Sequence, residues 1–228
     1  MIGLFDSGLG GLATLKEIRK ISKDTDIVFF MDKENAPYGT KTRGELIGLV
    51  RNDIKLLSSR GADKILIGCC TASTVYKYLS RSERKISVPI ITPTAKEATR
   101  VTKNGKIGVI ATRATVASGA FARAVKDVNS GFSVLEKETQ DFVALVEEGV
   151  SDEQICRREF DIIYTALKPF KKMGVDTLIL GCTHFAFLKR TVEECLPGVK
   201  IVSSAKCGAD EILRIYENRM GRGKNLFI

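Results

Sequence analysis

Two stretches of this chain are nearly the same: Gly61-Ala-Asp-Lys-Ile-Leu-Ile-Gly-Cys69 and Gly174-Val-Asp-Thr-Leu-Ile-Leu-Gly-Cys182. Each runs from a turn glycine through a brief aliphatic stretch to a glycine and a cysteine. Runs this short, bounded by Gly and rich in Ile and Leu, suit parallel strands buried on both faces. Open α/β sheets keep their chemistry beyond the carboxyl ends of the strands, where both thiols fall. The copies lie about half the chain apart, and two weaker pairs keep the same order, Ile2–Phe5 with Ile107–Ile110 and Val88–Ile91 with Val199–Val202. The pattern predicts a duplicated α/β lobe that supplies two equivalent thiols from two sheets. Two facing sulfurs suggest a reaction with two faces.

At 228 residues the chain is long enough for two lobes, each with its own core. The expected division is 1–93 plus 206–228 for the N-terminal lobe and 94–205 for the C-terminal lobe. With 44% hydrophobic and 28% charged residues the composition is that of a globular protein, and no apolar stretch is long enough for a bilayer. Met1 leads directly into a strand and the polar Asp6–Gly11 segment, so no signal peptide is expected and the cytoplasm is the predicted compartment. Six irregularly spaced cysteines read as thiols. A single histidine, His184, and the lack of a C-x-x-C pair argue against a metal site. The net charge of +9 is spread over helices, which implies a solvated basic surface that attracts acidic small molecules and requires no nucleic acid or membrane.

Strand-like runs at 1–5, 26–31, 63–68 and 88–92 alternate with helical periodicity at 10–22, 42–58 and 71–81, and the second half repeats the scheme with strands near 106–111, 132–135, 176–180 and 199–202. A long helix is expected to start at a Ser151/Gln154 capping box, to kink or break near Lys168 because of Pro169, and to end before Gly174. One more helix followed by a loose Gly221–Asn225 stretch is expected for the tail.

Asp6 and Ser7 stand at the end of the first strand, ahead of Gly8, Gly10 and Gly11. Gly8–Ala13 formally fits a dinucleotide fingerprint with Asp32 as the ribose acid, but a carboxylate at Asp6 would repel a pyrophosphate. Asp6 suits an ammonium group, the orientation of a thiol or a helix cap. Cys69-Cys-Thr-Ala-Ser73 and Cys182-Thr-His184 place hydroxyl and thiol groups at helix starts, where the dipole favours a carboxylate ligand and lowers a thiol pKa. His184, two residues after Cys182, is placed to move a proton.

Asp6-Ser-Gly-Leu-Gly-Gly11, Pro37-Tyr-Gly39, Cys69–Ser73, Ala111–Val116, Leu145-Val-Glu147 and Gly181-Cys-Thr-His184 occur in an order that resembles glutamate racemases of the aspartate/glutamate racemase superfamily. The resemblance runs from residue 1 to about 204. It implies two pseudo-symmetric lobes with the active site in the cleft between them, and a cofactor-independent racemisation of L- and D-glutamate that supplies D-glutamate for peptidoglycan. Cys69 and Cys182 would exchange protons on opposite faces of Cα, with Asp6 supporting the first and Glu147 and His184 the second. Ser7, Pro37, Tyr38, Gly39, Cys70, Thr71, Thr112, Thr115 and Thr183 would hold the substrate, and the protein would be a homodimer. Departures are Cys70 for the family's usual Asn, Thr92-Pro-Thr94, Glu138-Thr-Gln-Asp141, Phe185-Ala-Phe187 and Ser203–Lys206. They keep open a racemase or epimerase for another amino acid, such as aspartate. A non-catalytic, dinucleotide-binding protein is the rival from a different class.

Overall fold

The computed structural model describes residues 1–216 and 223–228. In chain order the elements are β1 (Ile2–Asp6), α1 (Gly10–Ile21), β2 (Ile27–Met31), α2 (Arg43–Ser59), β3 (Lys64–Ile67), α3 (Cys70–Ser73), α4 (Arg81–Ile86), β4 (Ser87–Pro89), α5 (Ile91–Val101) and β5 (Lys106–Ala111). There follow α6 (Arg113–Ser118), α7 (Ala120–Val128), β6 (Ser133–Glu138), α8 (Gln140–Glu147), α9 (Arg157–Lys172), β7 (Thr177–Gly181), α10 (Lys189–Cys195), β8 (Lys200–Ser203), α11 (Ser204–Tyr216) and β9 (Asn225–Phe227). Short 3-10 segments lie at Tyr38–Thr40, Tyr76–Tyr78 and Thr183–Leu188.

The strands make two parallel sheets, ordered β4-β3-β1-β2-β9 and β6-β5-β7-β8. Leaving β9 aside, the second order is the first read from the other edge, with β5 to β8 in the places of β1 to β4. In each sheet the chain leaves the central strand in both directions, to β2 and β3 or to β6 and β7, so a topological switch point opens beyond β1/β3 and another beyond β5/β7. The two cysteine motifs occupy these switch points. Their leading glycines, Gly61 and Gly174, both hold positive φ, +87° and +68°, a backbone turn that a side chain would strain.

A continuous core joins the sheets: Ile2, Leu4 and Leu66 of the first and Ile107, Val109 and Ile179 of the second pack with Ala95 and Ala98 of α5 and Ile212 of α11. Separate clusters fill the outer faces, with Phe5, Ile65 and Ile67 against α2 on one side and Leu178, Leu180 and Phe170 on the other. The fold is therefore the expected pair of α/β lobes.

Several local expectations differ. Residues 71–81 break into α3, a 3-10 turn and the start of α4, because Ser80 caps a new helix by accepting from the Glu83 amide. The strand expected at 88–92 ends at Pro89, and Ile91 already begins α5. Ser151 and Gln154 contact each other at 2.5 Å in a turn rather than at a helix start. The long helix α9 begins at Arg157, where Glu159 Oε2 accepts from the Cys156 amide at 3.1 Å. It runs unbroken through Pro169, with only three further helical residues, so at most the final turn is affected by the missing N–H. Asn225, expected in a loose tail, starts β9 beside β2. The tail residues 217–222 lie outside the described residues.

Candidate active site

The two switch points face one cleft of about 470 Å³. Both thiols line it, with Ser7 after β1, the Pro37–Thr40 segment, Thr71, Thr112, Thr183, His184 and the α8 residues Gln140, Asp141, Val143, Ala144 and Glu147. Three predicted site residues, Asp6, Cys70 and Thr115, are not among the groups that line it.

Cys69 sits at the start of α3, and its Sγ lies 3.5 Å from Ser7 Oγ. The helix-start amides of Ala72 and Thr71 favour the thiolate, but burial and then the nearby Asp6 carboxyl outweigh them and push the thiol up to about 12. The lowered pKa expected from the helix dipole is thus overturned by desolvation. Asp6 is fully buried behind the cleft, accepting from Thr183 Oγ1 at 2.9 Å and from the Gly8 amide at 3.2 Å. Burial raises it to about 6 against the pull of His184 and these donors.

Cys182 follows β7, with Sγ 3.5 Å from His184 Nδ1. Burial, and the neighbouring Cys70 and Cys69, hold this thiol well above its ordinary value, although the His184 amide opposes them. His184 Nε2 lies 2.5 Å from Glu147 Oε1. The histidine contact lowers the Glu147 pKa, so the ionised carboxylate accepts the hydrogen bond of Nε2–H and leaves the Nδ1 lone pair toward Cys182. Phe142 of α8 packs edge-on against Phe185, with ring centres 5.6 Å apart, which aligns Glu147 with His184.

Thr71, Thr112 and Thr115 form a triangle of hydroxyls with sides of 2.9, 3.1 and 2.9 Å that ties α3 to the start of α6. Thr71 and Thr112 face the cleft, while Thr115 closes the triangle from behind. Tyr38 lines the cleft, but its hydroxyl points away, 2.5 Å from Asp32 Oδ2 and 2.9 Å from Asp53 Oδ2. Burial, and then the neighbouring carboxyl groups of Asp53 and Asp32, drive its pKa far upward. Cys70, expected to touch substrate, turns into the core beside Ser204 and Cys207, because the first turn of α3 presents Thr71 to the cleft instead.

The glycines of the first motif serve approach between lobes. A Cβ on Gly10 would stand 2.3 Å from Thr183 Oγ1 and 2.8 Å from the His184 backbone N, and one on Gly8 would stand 2.5 Å from Glu147 Oε1. The Gly8 amide is taken by Asp6 and the Leu9 amide by Glu147 at 3.2 Å. The amides that would cradle a pyrophosphate are occupied, and Asp32 is engaged by Tyr38 and Asn35, so the dinucleotide alternative fails. Gln140 and Asp141 escaped the sequence reading as site residues, since α8 carries no signature apart from Glu147; their place just beyond the carboxyl end of β6, where open α/β sheets keep their chemistry, was the available signal.

Residues 11–212 match the model of the Asp/Glu/Hydantoin racemase family. The chain belongs to this family. The glutamate racemase of Desulforudis audaxviator is 40% identical over 206 residues, covering 90% of this chain and 74% of that protein. Among solved structures of the family, a glutamate racemase isoform from Bacillus anthracis superposes with a TM-score of 0.89 at 28% identity, covering 100% of this chain and 86% of the other. The Francisella tularensis glutamate racemase in complex with D-glutamate gives 0.88 at 28% identity, covering 99% and 86%. This chain is accordingly an isomerase of the racemase class. No helix among its described residues is long and apolar enough to cross a membrane.

Proposed function

We propose that the protein interconverts L- and D-glutamate by moving a proton between the two faces of Cα, with Cys69 and Cys182 as the paired acid and base. The observation that carries this reading is that two buried thiols, one from each lobe, line a single cleft. In one direction the Cys182 thiol gives its proton to His184 Nδ1, and the imidazolium is stabilised by Glu147. The thiolate takes the Cα proton, the electron pair passes into the substrate carboxylate as an enediolate, and the Cys69 thiol returns a proton on the opposite face. The reverse direction exchanges the roles. A desolvated thiolate with a raised pKa is a stronger base, which brings it nearer the very weak Cα acid. The hydroxyls of Ser7, Thr71, Thr112 and Thr183 and the backbone at Gly39 hold the carboxylates and receive the charge that develops. Pro37 shapes the wall, and Asp6 acts on Cys69 and Thr183 from behind.

The same reading assigns the product to peptidoglycan synthesis in the cytoplasm, a homodimer as the working form, and lobes divided at 1–93 plus 206–228 and 94–205. One feature favours a second substrate. Asp141 lines the cleft and no Lys or Arg does so among the described residues, which suits a substrate with a less acidic side chain than glutamate. Circular dichroism of L-glutamate, D-glutamate, L-aspartate and the neutral L-glutamine with purified protein, paired with proton NMR of Cα exchange in D2O, tests both readings. Ellipticity decaying to zero from either glutamate enantiomer is expected; unchanged ellipticity and no exchange would overturn the assignment.

A further inference from the structure

Helix α2 buries Leu46, Val50, Asp53, Ile54 and Leu57. Asp53 thus stands where helical periodicity calls for an apolar side chain, and it touches neither thiol nor cleft. A bare carboxylate in that stripe is costly, so the position needs a specific partner. That partner is Tyr38 Oη, at 2.9 Å. The same oxygen lies 2.5 Å from Asp32 Oδ2, and Asp32 also accepts from Asn35 Nδ2 at 2.9 and 3.0 Å through its two oxygens. All three acidic groups are nearly sealed, with 1% of Tyr38, 4% of Asp32 and 3% of Asp53 exposed.

A phenol has one proton and here meets two carboxyl groups. It can donate to only one of them, so the other contact is favourable only if that carboxyl group supplies a proton itself. Asp32, fed by Asn35 as well, is the ionised acceptor. Asp53 is the donor. We propose that Asp53 is a positioning residue for the reaction: its carboxyl proton goes to Tyr38 Oη, the Tyr38 proton goes to Asp32, and this chain of bonds fixes the Pro37–Thr40 wall against the substrate.

The link to the cleft is short. Tyr38 is anchored by the chain, and Gly39 beside it lies so near the other lobe that an added Cβ would stand 2.9 Å from Thr112 Cβ. A small displacement of Tyr38 therefore moves the wall relative to Thr112. The ionisable groups that face Asp53 are Tyr38 and Asp32, both on the stretch leading from β2 to α2, with the neutral amide of Asn35 behind them. Burial and the charge of Asp32 raise Asp53 to about 7, against the opposing pull of Tyr38. Above that pH the tyrosine oxygen faces two carboxylates with one proton among the three groups, and the wall loosens.

This inference rests on the racemase reading, and its test separates the two. Steady-state kinetics of the whole protein on glutamate from pH 6 to 9 should show wild-type KM rising roughly tenfold, the equivalent of one hydrogen bond to a charged group, with kcat changing far less. Asp53→Asn, whose amide donates to Tyr38 Oη at every pH, should keep KM low and flat. Tyr38→Phe should raise KM throughout the range. Carboxyl carbon NMR of the wild-type protein supplies a readout free of turnover: two aspartate signals should titrate between about 6 and 7, those of Asp6 and Asp53, and Asp53→Asn should lose the higher one and keep the Asp6 signal. An Asp53→Asn variant with the wild-type KM profile, or an Asp53 signal that titrates below pH 5, would overturn the assignment. If the protein turns over no glutamate, the functional reading fails while the carbon titration still decides the proton sharing.

Discussion

The surroundings of Cys69 and Cys182 are built from one repeated backbone and furnished with different chemistry. Both thiols follow the strand beside the central one of their sheet, at a switch point, both are buried, and both are held above the ordinary thiol range by that burial. Beyond that the sites part. Cys69 faces a hydroxyl, Ser7, and has the sealed Asp6 behind it. Cys182 faces an imidazole whose far nitrogen is held by Glu147, a carboxylate with 43% of its side chain exposed. One sulfur is coupled to the interior, the other to a chain that ends in solvent. The repeated backbone thus preserves where each sulfur stands, while the side chains around it differ in what they offer that sulfur.

The comparison breaks most completely if a single sulfur suffices. Cys69→Ser and Cys182→Ser should each lower racemisation by about 10³-fold or more with the fold unchanged by far-UV circular dichroism, since an alkoxide is too basic to form where a thiolate can. Retention of full activity in either variant would refute the paired mechanism. It sharpens next at His184. His184→Asn should cost about 10²-fold, the usual worth of a positioned proton-transfer group, and Glu147→Gln less. Because the equilibrium constant of a racemisation is one, kcat/KM must fall equally in both directions. The asymmetry of the two sites should appear as a different split between kcat and KM for the two enantiomers, and an identical split would show the sites to be equivalent in function.

On the other side, Asp6 tests the buried acid. Its carboxyl group is raised from 3.8 to about 6, so the folded chain binds a proton more tightly than the unfolded chain, and this group's contribution to stability is lost as pH rises from about 4 to 6. Asp6→Asn should therefore melt a few degrees above wild type at pH 8 and no higher than wild type at pH 4, as scanning calorimetry would register. The smallest effect is expected at Cys70. Its side chain lies in the core, so Cys70→Asn should cost about 1–3 kcal/mol of stability through a buried amide and leave KM for glutamate nearly unchanged.

The repeat made much of this legible before any coordinates. Gly61 and Gly174 announced two turns, the aliphatic runs two interior strands, and the terminal cysteines the two switch points that share one cleft. The pairing of His184 with Glu147 came only through family resemblance, because the contact joins residues 37 positions apart on different elements. The direction of Cys70 was hidden for a local reason: adjacent residues of a helical turn are rotated by about 100° from one another, and sequence alone does not say which faces the cleft. Gln140 and Asp141 were missed because nothing in an amphipathic turn distinguishes a wall residue from a surface one. The three-residue strand β9 was missed because so short a run, read alone after Gly223, carries no periodicity.

The triangle of Thr71, Thr112 and Thr115 consumes all three of its hydroxyl protons internally and carries no net charge. The field of such a ring of dipoles dies away faster than that of a guanidinium. In the proposed reaction it would grip a substrate carboxylate only once the anion is inside, by dropping one hydroxyl's internal bond to point at the newcomer. Salt in the medium screens charges across water and has little to act on at that range. Ionic strength should therefore slow the approach of an anionic substrate to this basic protein while scarcely altering how firmly the cleft retains it.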